Sequence, residues 1–324
     1  MKAAHSLTAL CAAFAVKRSG YHAWVKAEAS ARARADAALR VQSRTVYQQH
    51  RGRYGAPRIQ AELAAHGHRH GCKRIARLMR ADGLRGLCAR RFVPRTTQSD
   101  HDQPIAPNRL AVQPAPTEPN QTWVTDLTYV WTAEGWLYVA VMLDLWSRCV
   151  VGWATGETLH ARLATRALQM AIQHRRPPQG LLHHSDRGVQ YASGEYRTQL
   201  ADAGLTASMS RPGNPCDNAA MESFNATYKR ECVGLAAARG GYATRAEATN
   251  DFFDYVEKYY NRVRRHSALG FKSPVDFEQQ TNQTITMPTT ATRCPSGRVS
   301  PTTQRQSESF VVAMKHICVA CADR

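Results

Sequence analysis

The stretch WVTDLTYVWTAEGWLYVAVMLDL, residues 123–145, decides the fold class. Its first nine residues alternate and are rich in β-formers. Trp123, Thr125, Leu127 and Tyr129 share one face, and Val124, Asp126 and Thr128 the other, because successive strand side chains point to opposite sides. Glu134-Gly135 makes a turn and WLYVAVMLDL a second strand, so the pair reads as a β-hairpin. CVVGWAT (149–155) is a third strand. A helix over 161–174, the short strand LLHHSD (181–186), a helix over Glu195–Ala203 and the strand TASMS (206–210) come next. Helices from about Asn218 to Cys232 and around 245–262 complete the pattern. Three antiparallel strands, then alternating helix and strand, predict an α/β domain over 120–280 with a mixed five-stranded sheet flanked by helices.

Carboxylates in this domain stand where chemistry could use them. Asp126 is mid-strand, where a charge is costly unless something pairs with it. Asp186 ends the fourth strand just before Arg187-Gly188, where loops leave a sheet edge. Glu222 lies in the first turns of a helix whose Met221, Phe224 and Tyr228 form the core-facing stripe, while Glu222, Asn225 and Lys229 share a neighbouring face. Three converging carboxylates would offer hard oxygen ligands to Mg2+, and two such ions about 4 Å apart suit phosphodiester displacement. Taken singly, each acid reads better as a cap or a surface group than as a ligand, so the pattern alone leaves the convergence open.

Outward from the domain, the charge is uneven. The chain carries a formal +18 over 324 residues, yet residues 1–95 hold 20 Lys/Arg against 4 Asp/Glu and the rest is nearly balanced. A basic, Arg-rich module joined to a neutral one is what a polyanion-binding unit fused to something else looks like. Leu7–Phe14 and a segment capped by Ser19 read as short helices, and 31–50 as a longer one. In RGRYGAPRIQAELAAHGHRHGCKRIARLMRADGLRG (51–86), Pro57 opens a helix with Ile59 and Leu63 inward. A turn and a second helix from about Cys72 to Ala81 follow, with Ile75, Leu78 and Met79 inward. Lys73, Arg74, Arg77 and Arg80 project from the second helix. This describes a helix-turn-helix within a basic helical region spanning 1–91.

Residues 92–119 carry six prolines and read as an extended linker. Residues 281–324 are Thr/Ser/Gln-rich, and poor order is expected there. The run Leu7–Val16 after Lys2 superficially resembles a signal peptide, but Thr8 interrupts it and Lys17-Arg18 follow at once, so a buried helix explains it better. No other stretch approaches a membrane span. Nine scattered cysteines suit reduced cytosolic thiols rather than a disulfide framework.

Asp186 and Glu222 are separated by 35 residues, and the strings around them are distinctive: WVTDLTYV, LDLWSRCVVGW, HHSDRGVQYAS, SMSRPGNPCDNAAMESFNATYKRE and YYNRVRRHSALGFKSPVDFE. This ordered set resembles insertion-sequence transposases of the two-reading-frame IS3 type. RSGYHAW and HRGRYGAPRI to GLRG extend the resemblance to about residues 1–278. It implies a ribonuclease-H-like integrase core whose acidic triad falls on Asp126, Asp186 and Glu222. In such enzymes two Mg2+ ions, with Mn2+ as substitute, are held by the triad, the first Asp contacting both. Water attack frees a 3′-hydroxyl at the element end, and that hydroxyl attacks another phosphodiester. The resemblance also implies several partners: double-stranded DNA of element ends and target, an upstream reading-frame product fused or associated, and further copies of the chain on DNA. It places the protein in the cytoplasm, on the nucleoid. The tail beyond 280 has no counterpart in the family.

Further residues invite assignment. Lys229 could hold a DNA phosphate, and Arg262, Arg264, Arg265 and His266 match the family's basic NRxRRHSALG string and are expected to contact DNA. His183 and His184 beside Asp186 read as structural strand-end residues, and Asp144 as a turn residue or an ion-pair partner of Arg148. The alternating His66, His68, His70 and Cys72 do not fit the usual zinc patterns, and His316 with Cys318-x-x-Cys321 is half a zinc site without its other half. Two other functions share these features: a DNA-binding regulator with a silent core, and a nuclease that cuts without joining.

Overall fold

The computed structural model describes residues 6–26, 28–87, 103–212 and 215–286. The chain separates into two compact units, Met1–Cys88 and Ala89–Arg324.

In the first unit the helices are α1 (Leu7–Ala13), α2 (Arg18–Lys26), α3 (Ala31–Gln49), α4 (Ala56–Ala65) and α5 (Cys72–Ala81). Ser6 and Ser30 cap α1 and α3, their hydroxyl oxygens accepting from the N–H of Ala9 and Ala33. Ser19, expected as the cap of α2, lies one residue inside it. Helices α3, α4 and α5 bury Leu39, Val46, Ile59, Leu63, Ile75, Leu78 and Met79 against one another. The turn between α4 and α5 passes through Gly67 at φ +86°, a left-handed conformation that glycine adopts without a Cβ clash. The all-helical, helix-turn-helix character expected of this region is therefore present.

The second unit contains β1 (Thr122–Thr132), β2 (Gly135–Asp144), β3 (Val150–Gly156), α6 (Ala161–Arg175), β4 (Leu182–Ser185), α7 (Val189–Ala192), α8 (Gly194–Asp202) and β5 (Thr206–Met209). A 3-10 turn (Pro215–Asn218) leads into α9 (Ala219–Tyr228), which widens into a π-helical turn (Lys229–Val233) before α10 (Gly234–Ala237). After α11 (Arg245–Phe253) comes a second π segment (Asp254–Tyr260), and α12 (Pro274–Thr286) closes the unit. The two helices expected near 218–232 and 245–262 are thus each interrupted by π geometry.

The sheet order is β3-β2-β1-β4-β5, with β1, β2 and β3 antiparallel and β4 and β5 parallel to β1. Strand alternation sorts the core into two layers. Val124, Val130, Val139, Val141 and Leu143 pack against Met221, Phe224, Tyr228, Phe252 and Tyr255. On the other face Trp123, Met142 and Val151 meet Ala164, Leu168, Tyr191, Tyr196 and Leu200. Helices cover both faces, which lets strands this apolar be buried. This is the mixed, helix-flanked five-stranded sheet expected for the domain.

Two segment readings shift. Residues 92–102 lie outside the described residues, but 103–119 do not run free. The N–H groups of Arg109 and Leu110 donate to the Ser208 hydroxyl at 3.0 and 3.3 Å, and the Asn108 amide donates to Asp217 at 2.8 Å. Leu110 also packs against the core. The prolines keep this strap extended, and it belongs to the core unit. Helix α12 runs past the boundary expected at 280, and its first half is held by Phe277 against Trp146 (4.7 Å between centroids) and by a two-bond pair of Glu278 with Arg175. The rest of the expected tail, 287–324, is outside the described residues, as are His316, Cys318 and Cys321. Among the described residues no helix is long and apolar enough to cross a membrane.

Candidate active site

Strand β1 pairs with β4 only at Thr122–Val124, so its edge is released just before Asp126. The register Val124↔His184, continued by two residues, brings Asp186 opposite Asp126 where the two strands part. Helix α9 is fastened to the released edge from the other side. Asn218 donates its amide to the Thr125 carbonyl at 3.0 Å, and Asn225 donates to Asp126 Oδ2 at 2.8 Å. Glu222 lies one turn before Asn225 on this helix, exposed on the side that carries it.

Electrostatics identify Asp126 as the centre of the group. Burial pushes its carboxyl up to about 8, and Asp186 and Glu222 add like charge; the Leu127 N–H and Lys229 pull the other way. Leu127 N–H bonds Oδ1 at 2.8 Å, so each oxygen of Asp126 has one protein donor. Asp186 accepts from the Gly188 N–H at 2.9 Å, a bond within its own turn. Burial also raises Glu222 and lowers Lys229. Lys229 keeps its ammonium 4.8 Å from the centre of the Tyr129 ring, an arrangement worth roughly 1 kcal/mol or less at a partly exposed site.

Among the described residues no three His, Cys, Asp or Glu side chains form a ready-made metal cluster. His66, His68, His70 and Cys72 therefore build no such site. The carboxylates influence one another through the shared Asp126 without closing into a cage. Their chemistry nevertheless fits hard divalent cations: all donors are carboxylate oxygens, and burial with the neighbouring acids raises Asp126 toward its protonated form, which a cation would oppose. The buried Oδ1 of Asn225, on the side chain that holds Asp126, has no hydrogen-bond partner. Waters carried by a hydrated cation are the kind of donor it lacks.

The other residues singled out from the sequence separate by environment. Arg264 is buried, and its Nε and Nη2 bind Glu231 at 2.7 and 2.8 Å. His266 is buried beside Tyr260, with ring centroids at 4.8 Å. The expected basic DNA-contact cluster is thereby corrected: its Arg264 and His266 belong to the packed interior, and Arg262 is the exposed member. Arg265, half-buried, donates to the Phe271 carbonyl.

In the first unit Arg74 and Arg77 form ion pairs with Asp36 of α3 at 2.7 and 2.5 Å, which holds Asp36 below the usual carboxylate range. Lys73 and Arg80 are exposed, and a shallow groove of about 650 Å3 lies between α3 and α5, lined by Arg32, Lys73, Arg74 and Arg77.

His183 and His184 are structural strand residues. His183 meets the Tyr196 hydroxyl at 2.9 Å, and His184 lies between the Ser208 and Ser210 hydroxyls. Burial lowers them to about 3 and about 4, so both stay neutral. Asp144 serves a turn, accepting from the N–H groups of Asn120, Trp146 and Ser147 at 2.7, 3.1 and 2.8 Å. Sequence reasoning missed Asn218 and Asn225 as holders of the site. The available signal was Asn225 on the face of Glu222, but an exposed helix Asn and one that crosses to a strand look alike in a string.

The chain is similar to several known proteins. Two family models described as integrase core domain match residues 116–215 and 203–274, and one described as HTH-like domain matches 33–92. The chain is 44% identical over 274 residues to the insertion element IS600 uncharacterized 31 kDa protein of Shigella sonnei, covering 85% of this chain and 99% of that one. It is 38% identical over 291 residues to transposase InsF for insertion sequence IS3A of Escherichia coli strain K12, covering 86% and 96%. Among solved structures it is similar to the simian T-cell lymphotropic virus intasome in complex with a PP2A regulatory subunit (TM-score 0.44, 17% identity, 75% of each chain). It is also similar to the HTLV-2 integrase catalytic core domain in complex with magnesium (TM-score 0.40, 15% identity, 50% of this chain and 98% of that one).

Proposed function

The chain belongs to the IS3 family of insertion-sequence transposases, and from that premise we propose that it cleaves the ends of its element and joins them to new DNA through Asp126, Asp186 and Glu222. The observation that carries the reading is Asp126 at the released edge of β1, raised to about 8 by burial and by both other acids. A half-buried strand carboxylate with two acidic neighbours is costly without a cation.

Two divalent ions, Mg2+ or Mn2+, bound by the triad would supply activation of the attacking oxygen and stabilisation of the leaving one. The protein's own part is positional. Asn225 and the Leu127 N–H fix both oxygens of Asp126, and the Gly188 N–H fixes Asp186. In the first step water attacks a phosphodiester and a 3′-hydroxyl departs. In the second that hydroxyl attacks another phosphodiester, forming one bond and releasing one 3′-hydroxyl, so no high-energy cofactor is consumed. Neither step asks for a nucleophilic side chain. Lys229, whose charge acts on Asp126, would steady a DNA phosphate there, while the HTH-like domain binds DNA through Lys73, Arg80 and the groove beside α5.

The test is Mg2+- or Mn2+-dependent cleavage and joining of duplexes bearing the element's ends, comparing the chain with Glu222→Gln. Each protein is run alone and fused to the upstream reading-frame product. Joining by the parent and none by the variant supports the proposal. DNA binding without cutting in both formats would favour the regulator, and cutting without joining the nuclease.

A further inference from the structure

A second feature lies on the strand that carries Asp126, and its interpretation rests on the transposase reading. Tyr129, Trp131 and Trp136 stand together on the β1–β2 hairpin, where Trp131 pairs across the strands with Trp136 and Tyr129 with Tyr138. The Trp136 ring meets Tyr129 and Trp131 edge to face, both at 4.9 Å. Trp131 is 60% exposed and Trp136 43%. A Trp–Trp cross-strand pair can strengthen a hairpin tip on its own. That explanation leaves out three further facts.

The tip is already anchored without the rings. Thr132 donates its hydroxyl to the Gly135 carbonyl at 2.7 Å, the Ala133 N–H reaches the Tyr242 carbonyl, and Arg245 bonds Glu134 and the Trp136 carbonyl. Tyr129 lies on the same strand three residues beyond Asp126, so its ring leaves the opposite sheet face, along the edge that β4 leaves unpaired. Lys229, electrostatically coupled to Asp126, rests over the Tyr129 ring. One cation from the Asp126 side of the sheet therefore reaches the aromatic face at the unpaired edge. A phosphate held by that cation would carry its base onto the rings.

We propose that Tyr129, Trp131 and Trp136 form a stacking platform for an unpaired DNA base flanking the reacting phosphodiester. A base with both faces stacked inside a duplex has no access to such rings, so the platform selects an end whose last pairs have opened. Stacking tolerates any base because every base has a π-face. The platform would hold a frayed end in place without reading its sequence.

The experiment uses the full chain in EDTA, so that it reads binding and not the metal chemistry. The probes are a duplex with a short single-stranded thymidine 3′ extension carrying one 5-iododeoxyuridine, and a blunt duplex of the same length. After irradiation, the crosslinked peptide is mapped. The expected result is a crosslink to the hairpin peptide with the extended duplex and not with the blunt one. Trp131→Leu/Trp136→Leu should bind the extended duplex roughly 5- to 100-fold more weakly while blunt-duplex affinity is unchanged. Trp131→Phe, which keeps a stacking ring and the hairpin packing, should retain the crosslink. Crosslinks mapping only elsewhere, equal yields on both duplexes, or undiminished binding by the Leu variant would overturn the proposal. So would concentration-dependent self-association abolished by the Leu pair, which would make the patch a protein contact. Failure of the transposase reading shows separately, as absence of joining with metal.

Discussion

Replacing Arg264 with Met should destabilise the core and leave DNA affinity almost untouched, although its string of basic residues advertises a DNA contact. The guanidinium is 4% exposed and the Glu231 carboxylate 1%. They share two hydrogen bonds, at 2.7 and 2.8 Å, and the Tyr255 hydroxyl donates to the same carboxylate at 3.2 Å. Removing the arginine leaves a buried carboxylate without its cationic partner, a defect of about 3–5 kcal/mol. Against a total stability of about 5–15 kcal/mol that is a large fraction. Urea titration of the full-length protein followed by tryptophan fluorescence should show a lower midpoint for Arg264→Met. The double variant Arg264→Met/Glu231→Leu should recover much of the loss, since no charge is then stranded. Duplex affinity measured across a salt series gives the complementary reading. An arginine that holds a phosphate adds roughly 0.9 to the slope of log affinity against log salt concentration. The slope should not change for Arg264→Met and should fall for Lys73→Ala/Arg80→Ala. An unchanged urea midpoint together with a reduced salt slope for Arg264→Met would refute the reasoning and return the residue to the DNA surface.

Metal-free protein should lose stability as pH rises, because Asp126 binds its proton more tightly when folded (about 8) than at its ordinary value of 3.8. That contribution is complete below pH 4 and is lost as pH climbs through 8. After allowance for solvent in the crevice it amounts to roughly 2 kcal/mol, and Asp126→Asn should flatten the melting-temperature profile measured in EDTA. Parallel profiles for the two proteins would count against it. Asn225→Ala should weaken Mn2+ binding, followed by calorimetry, about 10- to 100-fold with the fold intact, since it removes the amide that orients Asp126. Equal affinities would reduce Asn225 to a packing residue. Gly152→Ala should cost about 1–3 kcal/mol in urea unfolding, because its Cβ would lie 2.3 Å from the Ala167 carbonyl and 2.8 Å from Ala171 across the β3–α6 contact. A midpoint equal to the parent's would mean that α6 can shift at little cost.

Much of the architecture was legible in the string because it rests on short-range rules. Alternation in 123–145 gives the hairpin, Pro57 and the stripe Ile75, Leu78 and Met79 give the paired helices of the first unit, and the ordered motif strings point to Asp126, Asp186 and Glu222. Each of these follows from the backbone period of one element or from a local pattern of residue types. What the string left open was which polar side chains face each other across elements. Arg262 and Arg264 look alike in sequence, yet one is exposed and the other is locked to Glu231 from a different helix. Asn225 looks like any helix-surface amide until α9 lies along the free edge of β1. Asp144 needed the loop from Asn120 to become a turn anchor, and the proline-rich strap at 103–119 needed the Ser208 hydroxyl to become part of the core. The period of a strand or helix is set by bonds between near neighbours, so a sequence carries it. Desolvation and pairing of a charge depend on what the folded chain brings from many residues away, so tertiary structure alone decides them.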